Sequence, residues 1–294
     1  MPGSGCPVFK DRIMALSRTQ FDQYQELGYV IIDCPFLPAL TQRCLDAVEK
    51  LAVQPTAIGD DGAGNHARLA PVDPQSYWSQ ADHSLPFMQV MLHPLFIEIG
   101  AQLTGSDDNF FRNGGINDMA VGKAVHWHRD MDDDRHEFMH YFTGGSKAHG
   151  CLRVVPGSHL GPIDDLFATL QRLRAEQGRP LRSKTFEQIE DVKLPGEVSL
   201  EVNPDQIIVR RGSIFHATHM NTVSYSRMMS HWGFRPPNVD DHRFTWDDYL
   251  TDDLIAALTP EQRRPLWLGR DFKVSSAFDA ERARELGKVK WGVV

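Results

Sequence analysis

Apolar positions recur at helical spacing near the start of the chain: Phe21, Tyr24 and Leu27 follow Thr19, a residue suited to capping, and Gly28 ends the run. This pattern predicts a short helix feeding a buried strand over residues 29–32. A second stripe, Leu40, Cys44, Val48 and Leu51, predicts a helix over 38–51, and a third follows His93-Pro94 through Leu95, Ile99 and Leu103 to Gly105. Between them, 54–84 is rich in Gly, Asp and Pro and has no period, so it is predicted to be a long loop of the kind that is commonly functional.

From Phe110 the texture changes to short alternating or β-branched runs separated by turn residues, at 110–119, 124–130, 151–155, 198–202, 206–209 and 227–234. Runs at this spacing predict an antiparallel sandwich or jelly roll with the earlier helices packed outside it. An insertion at 164–178 is predicted to be a helix with Leu166, Leu170 and Leu173 inward and Gly178 as its cap, and 252–258 another. The chain has no internal repeat and no low-complexity segment.

Composition narrows the class without naming it. Of 294 residues 41% are hydrophobic and 24% charged, with 23 Gly and 18 Pro, which excludes a mainly disordered or collagenous chain. A formal charge of −8 argues against broad binding to nucleic acid. Cys6, Cys34, Cys44 and Cys151 are widely spaced with no C-x-x-C pair, so four free thiols of a reduced compartment are expected. No apolar run approaches the ~20 residues of a membrane span. The expectation is a soluble cytoplasmic protein, monomer or homodimer, acting on a small molecule rather than on nucleic acid or membrane.

Thirteen histidines offer many candidate ligands, so spacing must choose among them. The tightest cluster is His126-Trp127-His128-Arg129-Asp130, at a predicted strand end. Residues two apart on a strand share a face, so His128 and Asp130 can offer an imidazole nitrogen and a carboxylate oxygen to one ion. A His–carboxylate pair plus a distant His makes the facial triad of non-haem Fe(II) oxygenases. His126 and His128 are a second conceivable pair, and both His216 and His219 are available as the distant ligand.

Several motifs then fall in order. Trp127-His128-Arg129-Asp130 is followed by Gly150-Cys-Leu-Arg153-Val-Val-Pro156-Gly157-Ser158-His159, and then by His216, Thr218, Asn221 and, eleven positions after His216, Arg227. With the entry Phe21…Gly28-Tyr29-Val30-Ile31, this series resembles the phytanoyl-CoA dioxygenase family of Fe(II)/2-oxoglutarate-dependent oxygenases, from about residue 16 to about 235. Only His216 keeps that family's spacings to the asparagine and the arginine.

The resemblance implies a mainly β fold with flanking helices, a cupin-like double-stranded β-helix (jelly roll). Its core is expected at about 106–236, after N-terminal helices at about 16–105 and before a C-terminal extension at about 237–294, all in one domain. It implies Fe(II) held by His128, Asp130 and His216, with 2-oxoglutarate and O₂ on the open face. Arg227 would grip the co-substrate's 5-carboxylate with its planar fork, Thr218 would add a hydroxyl, and Asn113 is a further candidate contact. The reaction implied is decarboxylation of 2-oxoglutarate to succinate and CO₂ coupled to oxidation of a small organic substrate in specialised metabolism. Hydroxylation is expected first, with desaturation, epoxidation or ring formation as alternatives. Related halogenases lack the carboxylate ligand, and Asp130 is present here. A metal-binding jelly roll without turnover, or a metal enzyme using no 2-oxoglutarate, would be the other classes.

Arg153 and His126 are the candidate substrate contacts. Trp127 should point away from the ligands into a core, and His159 should be a strand-end hydrogen-bonding residue. Asp132-Asp133-Asp134 has the composition of a solvated turn, and Arg172, Arg174, Arg179, Arg182 and Lys184 that of an exposed lid face or an anion-attracting one. The pocket lining is expected from 54–84, 132–149 and 164–195 as loops.

Overall fold

The computed structural model describes residues 15–51, 65–66, 81–130, 135–178, 192–236, 246–248 and 250–270. In chain order they form α1 (Arg18–Leu27), β1 (Tyr29–Asp33), α2 (Leu37–Leu51), β2 (Asn65–His66), α3 (Ala81–Met91) and α4 (Pro94–Thr104). These are followed by β3 (Phe110–Met119), β4 (His136–Tyr141), β5 (Leu152–Val154), α5 (Asp164–Glu176), β6 (Val198–Leu200), β7 (Gln206–Arg211), β8 (His216–Thr218) and β9 (Arg227–Arg235). Short helices α6 (Asp252–Ala257) and α7 (Pro260–Arg263) come last.

Local chemistry accounts for the helix ends. Ser17, rather than Thr19, caps α1: its hydroxyl accepts the Gln20 N–H at 3.2 Å while the Gln20 side chain accepts the Ser17 N–H at 2.9 Å. Gly28 then turns the chain with a φ of 82°, and a Cβ there would lie 2.5 Å from the His159 ring, so glycine is needed twice over. His93 caps α4 by accepting the Leu95 N–H on Nδ1, with Pro94 in the first turn. Helix α3 falls at the end of the expected 54–84 loop, and Pro86 inside it hides the helical pattern.

All strand pairs are antiparallel, in a major sheet ordered β1-β7-β4-β9-β3-β2 and a minor sheet ordered β6-β5-β8. Val30, Ile32, Phe138, Ile207, Val209, Trp232 and Phe234 pack the major sheet against the helices. Its other face, with Tyr29, Met139, Tyr141, Ile208 and Met229, meets Leu152, Val154 and Leu200 of the minor sheet. A third cluster, Trp127, Phe215 and Ala217 with Leu170 of α5, covers part of the minor sheet's outer face. This is a double-stranded β-helix, or jelly roll, flanked by helices.

The expectation of a loop over 132–149 is corrected by β4. That strand sits between β7 and β9 and is buried along almost its whole length, so both faces are covered and no alternation marks it. Two of its residues are histidines held neutral. Burial, with Arg235 and Arg211 nearby, pushes His136 down to about 3, and burial pushes His140 down to about 4 although Pro204 O accepts from its ring. In the unfolded chain each titrates near 6.5, so below that pH the unfolded state binds the extra protons. Their contribution to stability is therefore full above pH 6.5 and shrinks as pH falls, toward about 4 for His140 and about 3 for His136. The expected loss is at most about 1.4 kcal/mol per pH unit for each histidine. Urea midpoints at pH 7 and pH 5 measure it, and His140→Gln should flatten the difference.

No helix among the described residues is long and apolar enough to cross a membrane.

Candidate metal centre

Alternation along β8 turns His216 and Thr218 toward the space between the sheets and Ala217 toward α5. Residues 125–130 run antiparallel beside it. The Thr218 N–H donates to Val125 O at 2.9 Å, His128 and His216 exchange main-chain bonds of 2.8 and 2.9 Å, and the Asp130 N–H donates to Gly212 O at 3.2 Å. His128 and His216 are thus direct partners across a bridge, and their ring centroids lie 4.1 Å apart.

Each of these imidazoles is tied at Nδ1 to a carbonyl of its own chain two residues earlier, His128 to His126 O at 2.7 Å and His216 to Ile214 O at 2.9 Å. A carbonyl only accepts, so Nδ1 of each ring carries a proton and Nε2 is the atom turned toward Asp130. Both Nε2 atoms face Asp130, at 3.3 Å from its Oδ1 and 3.5 Å from its Oδ2 respectively. The three potential ligand atoms all lie within 4.8 Å of one another. Ligands about 2.1 Å from one ion at right angles are about 3 Å apart, so the donor set fits a single divalent metal with little movement.

Electrostatics agree with that use. Burial opposes the charge on Asp130, but the Arg210 guanidinium, with a hydrogen bond from the His128 side chain, outweighs it and holds the carboxyl well below the usual range. Burial, then Arg210 and His128, push His216 well below its ordinary value, so it stands neutral and ready to ligate. Among the described residues this is the one grouping of three such ligands.

Arg210 and Glu137 are absent from the sequence expectations. The Arg210 guanidinium, only 4% exposed, donates to Asp130 Oδ2 at 2.6 Å and to Glu137 Oε2 at 2.5 Å. Arg210 closes the apolar run Ile207-Ile208-Val209, where a charge suggests a solvated strand end, and Glu137 lies on the unforeseen strand β4. Two carboxylates share one buried cation here. Arg210→Met is expected to destabilise the metal-free protein by about 2–5 kcal/mol, because the carboxylates are left facing each other. A divalent metal should recover part of that loss by supplying the missing positive charge, which denaturant titration with and without metal will read.

Arg227 opens β9, 2% exposed, with its guanidinium 4.8 Å from the Tyr141 ring and donating to Gly150 O. It precedes Met229 on the face that looks between the sheets. Asn221 explains the spacing from the histidine. Its amide donates to Met119 O at 3.0 Å and Tyr225 O at 2.9 Å, and its Oδ1 accepts the Val223 N–H, so it staples the turn that starts β9 opposite Met119. The Thr218 hydroxyl accepts the Val125 N–H at 2.7 Å, fastening the ligand strand and leaving its own proton to donate.

The remaining expectations divide. His126 is half-buried with its ring 5.5 Å from that of His128, beside the triad and outside it. Asn113 lies in β3, and its side chain is outside the described residues, as are 132–134, Arg179, Arg182 and Lys184. Arg172 pairs on the surface with Glu176, whereas Arg174 is buried. His159 bonds Gln25 O, and Trp127 stacks on Phe215 with its indole N–H on Val192 O, so it turns away from the ligands. Arg153 requires a correction. It alternates with the inward Leu152 and Val154, so it lies on the outer face of the minor sheet, over Trp127 and beside Glu197, and not in the space that holds the triad. His219 likewise faces outward, to Ser199.

Two imidazoles and a carboxylate on facing strands of a jelly roll define a class, the mononuclear non-haem metal oxygenases. The family model described as phytanoyl-CoA dioxygenase (PhyH) matches residues 24–229. The chain belongs to that family, and with it to the Fe(II)- and 2-oxoglutarate-dependent oxygenases. Among solved structures it is similar to HygX from Streptomyces hygroscopicus, crystallised with nickel and 2-oxoglutarate, with 16% identity, a TM-score of 0.58 and coverage of 81% of this chain and 93% of that one. It is also similar to the non-heme alpha ketoglutarate dependent carbocyclase SnoK of nogalamycin biosynthesis, with 19% identity, a TM-score of 0.56 and coverage of 85% and 95%. EctD from S. alaskensis, crystallised with 2-oxoglutarate and 5-hydroxyectoine, gives 16% identity, a TM-score of 0.54 and coverage of 76% and 78%. At such identities these likenesses speak for the fold. No curated protein matches the sequence.

Proposed function

We propose that the protein oxidises a small organic molecule, most simply by hydroxylation, using Fe(II) held by His128, Asp130 and His216 and 2-oxoglutarate anchored by Arg227. The observation that carries this reading is the convergence of two histidine Nε2 atoms and one ionised carboxylate on adjacent strands. When bound, the metal supplies oxygen activation coupled to decarboxylation of 2-oxoglutarate to succinate and CO₂.

The chain's own residues do the positioning. His126 O and Ile214 O orient the two imidazoles, and Arg210 holds Oδ2 of Asp130, so that His128, His216 and the Asp130 carboxylate would be kept in place to hold the metal. Arg227 offers a buried cationic fork on the inner face, with the Thr218 hydroxyl as a second donor. The inter-sheet residues Tyr141, Met229 and Leu152 exclude water around it. A second reading, ring formation or desaturation from the same first hydrogen abstraction, is supported by the similarity to a carbocyclase.

Adding Fe(II) and 2-oxoglutarate to the protein without oxygen should produce a visible metal-to-ligand charge-transfer band. Its absence from the wild-type protein would overturn the reading. Once the band is seen, substrate-dependent succinate release from compound pools identifies the prime substrate.

A further inference from the structure

The minor sheet has a second face, and the apolar cover contributed by α5 reaches only part of it. Beyond Trp127 a cavity of about 500 Å³ opens on that outer side, lined by Lys147, Arg153, Lys193, Ser199, His219 and Thr222. Its floor is built from the sheet. Arg153 and Ser199 are direct partners between β5 and β6, and His219, two residues past the outward Ala217, places Nε2 2.8 Å from Ser199 Oγ. At the rim stand Lys147 and Lys193, both exposed.

The charge balance of the lining is cationic. Its one carboxylate, Glu197, is already committed, accepting the Leu194 N–H at 2.9 Å and lying 3.4 Å from Arg153. The Arg153 and Glu197 side chains are only 3% and 5% exposed, so a fixed, desolvated ion pair forms the base beneath the two rim lysines. Burial, then Arg153 and Lys147, push His219 down to about 4, so the Ser199–His219 pair adds polar hydrogen-bonding atoms without charge. A volume of this size suits a small molecule.

We propose that this cavity is a second ligand site, separated from the candidate metal centre by the thickness of the minor sheet, and that it takes a small molecule bearing a phosphate or carboxylate group. Lys147 and Lys193 supply the attraction, while Ser199 and His219 supply directional bonds at the floor. The pleat keeps the two sites apart, because Leu152, Val154, Leu200, His216 and Thr218 all look to the other side. The proposal needs neither iron nor 2-oxoglutarate, so it stands or falls apart from the function proposed above.

Isothermal titration of the full-length protein with inorganic phosphate, and in a parallel arm with citrate, tests it. Saturable binding of at least one anion is expected, and which arm binds tells phosphate from carboxylate preference. Lys147→Ala combined with Lys193→Ala, both at exposed positions, should weaken that binding at least tenfold. His216→Ala should leave it within twofold. No saturable binding in either arm, undiminished binding in the double lysine variant, or loss of binding in His216→Ala would each overturn the proposal.

Discussion

His216→Ala is expected to remove both the visible absorption of the anaerobic Fe(II)–2-oxoglutarate mixture and all substrate-dependent succinate formation. Loss of an outer partner of a ligand costs roughly 10–100-fold in metal affinity, and loss of a ligand itself should exceed that range. Direct titration with a divalent metal measures the loss. Asp130→Ala should lose the same signals, yet the two variants should part company in the metal-free protein. The His216 imidazole is neutral and its removal leaves a small void, whereas removal of Asp130 deprives Arg210 of one of its two carboxylate partners. Chemical denaturation without metal distinguishes these costs. Equal retention of metal by either variant would show that the triad is not the binding site.

Arg227→Ala is expected to raise the 2-oxoglutarate concentration needed for half-maximal turnover by roughly 30- to 700-fold. That range corresponds to about 2–4 kcal/mol, the usual cost of truncating one partner of a buried charge-assisted pair. The guanidinium also packs on Tyr141 and bonds Gly150 O, so part of the effect will appear as lower stability. Arg227→Lys separates the two contributions. It keeps the charge and loses the planar fork, so stability should return more fully than co-substrate affinity. An unchanged requirement for 2-oxoglutarate in Arg227→Ala would favour a metal enzyme that does not use it.

The triad was legible because its spacing is local chemistry: His128 and Asp130 lie two apart on one strand face, and His216 carries its own downstream pattern to Asn221 and Arg227. The two halves of that site are 86 positions apart, and the antiparallel bridge between His128 and His216 is what joins them. Strand β4 escaped because a strand buried on both faces has no period-two signal, and His136, Glu137 and His140 give it the look of a polar loop. Glu137 and Tyr141 were lost with it. Arg210 escaped for the opposite reason, as a charge at the end of an obvious strand. Only the fold reveals that this position faces Asp130. Arg153 was misassigned because a motif fixes a residue's place in sequence, whereas the face it occupies follows from pleat parity, and Leu152 and Val154 take the inner side.

The carbonyls that orient the two histidines belong to residues 126 and 214, and a main-chain acceptor is the same whatever side chain the residue bears. Ligand geometry is therefore insulated from the identity of residue 126. A lineage can exchange His126, beside the reactive centre, for a larger, smaller or more polar side chain without releasing the imidazole of His128. Selection for a new substrate and selection to keep the metal then act on different atoms of one residue, and need not oppose each other.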